Sequence, residues 1–100
     1  MSEKVDYLQE IKNAVESREL PTLYFNGFTA TIGTGDVLIV LKQQNEPVLI
    51  LNVSYTIAKT LAIKLGDIVT HFEQKTGNII MTTDEIQSKL IESKDDDVKD

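Results

Sequence analysis

The spacing of apolar residues changes period twice along the chain, and those changes divide it into elements. Near the start, Val5, Leu8, Ile11 and Val15 recur at steps of three and four, the interval that places side chains on one helical face. A helix over residues 4–17 follows. Pro21 ends any continuation, because it has no N–H to donate and drives Leu20 before it toward extended geometry.

From Leu23 to Val53 the period is that of strands. Phe28, Ala30 and Ile32 alternate with Thr29 and Thr31, as in a strand with one buried face and one face that tolerates water. Gly33-Thr34-Gly35-Asp36 supplies small residues that accept positive φ, so the chain is expected to return antiparallel through a tight connection. Val37-Leu38-Ile39-Val40-Leu41 and Val48-Leu49-Ile50-Leu51 do not alternate at all; both strands call for cover on each side. The polar run from Gln43 to Pro47 reads as the loop of a second hairpin.

Beyond Ser54, a suitable helix N-cap, Ile57, Leu61, Leu65, Ile68 and Phe72 form the stripe of a long amphipathic helix over residues 55–75, with Ala58, Ala62 and Val69 widening it. Gly77 and Asn78 suit its end, where a left-handed residue is commonly needed. Asn78 to Met81 is expected to form a short strand or extended link. Thr82 and Glu85 stand three apart, as in a capping box, opening a last helix that carries Ile86, Leu90 and Ile91. The fold class expected is therefore α+β. An N-terminal helix precedes a three-stranded antiparallel meander, a long helix packs on the sheet, and a short strand and C-terminal helix close the chain. A single domain over residues 1–94 is followed by an acidic tail, 95–100, expected to be disordered because it is too charged to pack.

One hundred residues hold one small core. The chain has no cysteine, which removes disulfides and thiolate metal sites and accords with a reducing compartment. Without a basic, apolar leader at the start or an 18-residue apolar run anywhere, the expected location is the cytoplasm, with no membrane association.

Charge sharpens this picture through its distribution. The net charge is −6, yet residues 21–80 carry four basic and four acidic side chains. The excess lies at the ends, with five acidic against three basic residues over 1–20 and seven against three over 81–100. No stripe of Lys or Arg exists to neutralise phosphates, so direct nucleic-acid binding is not expected.

Candidate chemistry is sparse. His71, the one histidine, shares a helical face with Asp67, but two ligands do not make a metal site and no further histidine or cysteine exists to complete one. Gly33-Thr34-Gly35 offers backbone N–H groups to an anion but lacks the Lys-Ser/Thr pair and following helix of a P-loop. Asn26 and Gly27 interrupt the first strand, as at a bulge or at a point of close approach by a ligand. Asn26, Gly33, Thr34 and Gly35 are thus the candidate ligand residues. Tyr24, Phe25 and Phe28, without basic neighbours, are candidate core or interface aromatics. No catalytic residue, metal site or cofactor site is expected, and the protein is read as not an enzyme.

The order of short motifs adds one resemblance. Tyr24-Phe25-Asn26 at a strand opening, Asp36 leading a second strand, Pro47-Val48 leading a third, Ser54 with Ala58-Lys59 entering a helix, then Phe72-Glu73 and Gly77, resemble a small bacterial and archaeal domain-of-unknown-function family. The likeness spans residues 23–78, with Phe72 where that family tends to have tyrosine. It implies a compact strand-rich fold with a long helix, and no activity or catalytic residue.

A sheet apolar on both faces and one long helix leave a face to be covered, either by the N-terminal helix, giving a self-contained monomer, or by a second copy; homo-oligomerisation is the expectation, with a non-enzymatic protein-binding or regulatory role. Two alternatives stand beside it. One is an oligomer that sequesters a small molecule or nucleotide, of the phage-encoded kind, holding its ligand between subunits near Asn26 and Gly33-Thr34-Gly35. The other is an acidic inhibitor that mimics nucleic acid.

Overall fold

A computed structural model describes the backbone of residues 3–99 and the side chains of residues 6–92. The fold is α+β. Helix α1 (Glu3–Glu16) is followed by strands β1 (Gly27–Ile32), β2 (Val37–Gln43) and β3 (Glu46–Val53), then by helices α2 (Tyr55–Thr76) and α3 (Thr83–Lys99). The chain divides after Ser54 into two units, and each is described by itself.

In the first unit the strands form an antiparallel meander, β1-β2-β3. Its order follows from short connections, since consecutive strands joined by hairpins lie side by side. Ile32 pairs with Val37 across a four-residue turn, and Gln43 pairs with Glu46 across a two-residue turn. Both β2 and β3 reach further into the second turn than the apolar runs alone indicate. Pro47, expected in the loop, lies in β3; an edge strand accommodates it because the missing N–H costs a ladder bond only where both sides are paired. Between Leu41 and Lys42 the register shifts, with Leu41 facing Leu49 and Lys42 facing Pro47. Val48 is the extra residue of a bulge on β3.

The first strand begins later than its aromatic lead-in indicates. Leu23, Tyr24, Phe25 and Asn26 are not strand, and β1 starts at Gly27. Asn26 N–H donates to Lys42 O at 3.0 Å, while Gly27 takes Lys42 as its pairing partner. Two residues oppose one, and the ladder ends there as a bulge.

In the second unit α2 runs 22 residues. It ends as its last residues indicate: Gly77 has φ +73°, and its N–H donates to Glu73 O at 2.9 Å, a left-handed cap that satisfies one of the helix's terminal carbonyls. The capping box opening α3 is formed in full. Thr82 N–H donates to Glu85 Oε1 at 2.9 Å and Glu85 N–H donates to Thr82 Oγ1 at 3.2 Å.

Residues 77–82 contain no strand, so of the two expectations for Asn78–Met81 the short strand is not formed. The Ile80 N–H, which a ladder would need, donates instead to Glu73 Oε2 at 2.8 Å. The carboxylate of α2 thereby holds the connection just beyond the glycine cap. Val5 and the acidic run 95–100 have side chains outside the described residues.

Candidate binding surface

The strand register assembles two unlike faces. Alternation along each strand places three rungs on one side: Phe28–Leu41–Leu49, Ala30–Ile39–Leu51 and Ile32–Val37–Val53. Every member is apolar. The opposite side carries Thr29–Val40–Ile50 and Thr31–Leu38–Asn52, in which apolar residues of β2 and β3 are mixed with threonines and an asparagine.

Within the first unit, the strands leave much of the outer-strand apolar surface uncovered, while β2 is half-buried along its length. Among the described residues Leu41 alone is buried, at 5% exposure, whereas Phe28 retains 65%, Ile32 76% and Ile50 67%. Leu41 is protected because it sits on the central strand between Phe28 and Leu49. In the second unit the α2 stripe is also exposed, with Ile57, Leu61, Leu65, Ile68 and Phe72 all open. Contiguous apolar area of this kind marks an interaction surface.

The candidate ligand residues fall at two ends of the sheet. Asn26 precedes β1 at the end where β2 turns into β3. Gly33, Thr34 and Gly35 form the turn at the other end. At roughly 3.4 Å per residue the two are about 20 Å apart, so one chain does not bring them into a single pocket.

Asn26 has a structural task that its sequence context conceals. Its Oδ1 accepts the N–H of Gln44 at 3.0 Å, inside the β2–β3 turn. Two residues earlier, the Tyr24 carbonyl accepts a hydrogen bond from Gln43 Nε2. The segment 24–26 therefore clasps the far hairpin across the end of the sheet. Gln43 and Gln44 belong to this cluster, although nothing in their local sequence marks them. Counting back from a turn at 33–36 places residue 26 opposite 43, and that count is the available signal.

The glycine turn differs from its expectation. Neither Gly33 nor Gly35 has positive φ; among the described glycines that conformation belongs to Gly77. Gly33 N–H donates to Asp36 O at 2.7 Å, and a Cβ on Gly33 would lie 2.7 Å from Asp36 Oδ1. Gly33 makes room for the returning Asp36. Gly35 has nothing within 4 Å of its would-be Cβ.

Of the candidate aromatics, Phe28 joins the apolar face through its pairing with Leu41. Tyr24 and Phe25 lie in the clasp segment, both exposed. His71 and Asp67 share α2, and among the described residues no group of three or more His, Asp or Glu is placed to hold a metal ion. No helix among the described residues is long and apolar enough to cross a membrane. No protein-family model matches the chain, and no curated protein or solved structure matches it.

Proposed function

We propose that the chain is a non-enzymatic, cytoplasmic module that works as a homo-oligomer and binds a protein partner in a regulatory role. The three all-apolar rungs of the sheet carry this reading, for an apolar face left open to water is unstable until something covers it. Three strands spaced about 4.8 Å apart and six residues long present on the order of 300 Å² per face. At about 25 cal/mol per Å² that area is worth roughly 7 kcal/mol before the costs of association. The lack of cysteine accords with a reducing compartment, and the neutral middle of the chain leaves burial, not charge, as the driving term.

Sedimentation velocity on the full chain at micromolar concentration tests the reading. A species of twice the 11.2 kDa chain mass, or a higher multiple, supports it. A compact monomer over the whole concentration range rules it out.

A further inference from the structure

The faces of the sheet are too small to make a stable dimer unaided, since two faces of about 300 Å² fall below the 1,200 Å² or so that specific interfaces bury. Two sheets joined edge to edge double each face to about 600 Å², and two such doubled faces packed together reach that area; one edge is built for the joining. β3 enters the sheet through Glu46 and Pro47 with a bulge at Val48; charge, proline and a bulge are the usual devices that blunt an edge. β1, Gly27–Ile32, has no charge and no proline, its sequence being Gly-Phe-Thr-Ala-Thr-Ile, and its bulge is confined to the first residue, where Asn26 and Gly27 both face Lys42.

The backbone of β1 also has a definite polarity toward its open side. The Gly33 N–H donation to Asp36 O, one step beyond the Ile32–Val37 pair, marks that pair as a wide, non-hydrogen-bonded one. Alternation makes Phe28–Leu41 and Ala30–Ile39 wide as well. The N–H and C=O groups of Phe28, Ala30 and Ile32 therefore point away from β2, toward the edge where no strand lies among the described residues.

We propose that β1 pairs antiparallel with β1 of a second copy, centred on Ala30, to give a continuous six-stranded sheet. This rests on the homo-oligomeric reading above and goes beyond it by naming the edge and the register. A twofold axis normal to the sheet keeps like faces together. Of the registers it permits, the one centred on Ala30 pairs all three outward-pointing residues: Ala30 with Ala30 of the partner subunit, and Phe28 with Ile32 of the partner subunit. Three narrow pairs exchange about six backbone hydrogen bonds. The all-apolar rungs of both chains then form one uninterrupted face, and Thr29 stands opposite Thr31 of the partner subunit on the other.

The same register resolves the separation of the candidate ligand residues. Continued one step outward, it sets Gly27 against Gly33 of the partner subunit, which brings Asn26, next to the β1 start, to the same end of the junction as the partner's Gly33-Thr34-Gly35 turn. The two halves of the candidate site, at opposite ends of one chain's β1, meet at each end of the β1–β1 junction. The site is complete only in the dimer.

The chain contains no cysteine, so single cysteines report cleanly. Cα atoms in a narrow antiparallel pair lie about 5.5 Å apart, within disulfide range. Under mild oxidation Ala30→Cys is expected to lock into a covalent dimer at least tenfold faster than Ile50→Cys, although Ile50 on β3 is open to solvent. A mixture of Thr29→Cys and Thr31→Cys chains is expected to cross-link several-fold faster than either variant alone. If the wild type sediments as an oligomer while Ala30→Cys is no faster than Ile50→Cys, the β1 pairing is overturned and the oligomeric reading stands. If Ala30→Cys locks but the mixture shows no advantage, the register is overturned. A wild type that is monomeric throughout overturns both.

Discussion

The two turns of the meander do the same job with opposite chemistry. The β1–β2 turn is rich in glycine and uses no left-handed residue; the β2–β3 turn has no glycine, yet Gln44 and Asn45 both take positive φ, +52° and +70°. Loop length accounts for the difference. Four residues separate Ile32 from Val37, and a loop of that length turns within the ordinary φ range. Two residues separate Gln43 from Glu46, and a two-residue connection that matches the twist of its strands requires left-handed geometry at both positions. The lesson is that register, more than composition, decides where a backbone is strained. The clasp from Asn26 to Gln44 N–H lies at the strained turn.

The largest effect is expected where that strain is greatest. Asn45→Val places a β-branched residue at φ +70°, where L-residues other than asparagine, aspartate and glycine pay about 1–2 kcal/mol. Thermal or urea unfolding at fixed protein concentration should show that loss, and Asn45→Gly should show a gain. Unchanged stability in both would remove the distinction between the turns. Asn26→Ala deletes the clasp and should cost about 1 kcal/mol, with faster hydrogen exchange at the Gln44 amide; an unaltered exchange rate would mean the bond does not hold the turn. On the relaxed side, Gly35→Ala should stabilise by about 0.5 kcal/mol by restricting the unfolded chain, since its φ is ordinary and its surroundings are empty. Gly33→Ala should fall below it, because the new methyl would crowd Asp36 Oδ1.

A third connection, outside the sheet, gives the smallest effect and a pH signature. Hydrogen bonds from the Thr82 backbone and hydroxyl, followed by a weak attraction from Lys89, hold the Glu85 carboxyl below its usual value. A lowered folded-state pKa contributes stability above the unfolded value and loses it as pH falls through the folded one. Helicity of α3, followed by circular dichroism, should therefore decline on acidification below the usual carboxylate range. Glu85→Gln should flatten that decline, and an equal decline in the variant would assign it elsewhere.

What was legible in the sequence was local. The capping box at Thr82–Glu85, the left-handed Gly77 and the extent of α2 each depend on residues within one or two turns of helix, so spacing alone reveals them. The meander was legible because two apolar runs and their breaks leave one simple path. What escaped was set by partners far along the chain. Asn26 is a clasp only because Gln44, 18 residues on, is brought beside it; Ile79–Met81 is not a strand because Glu73 takes the Ile80 N–H. Asn26 and Gly33-Thr34-Gly35 each have suitable chemistry taken singly, and the register places them at opposite ends of β1.

The central claim is that this sheet is completed by a second copy of itself. Sedimentation equilibrium of the unmodified chain, from below one micromolar to several hundred, tests it most directly. The account predicts a mass that settles at twice 11.2 kDa or a higher multiple as concentration rises. A mass of 11.2 kDa at every concentration would contradict it.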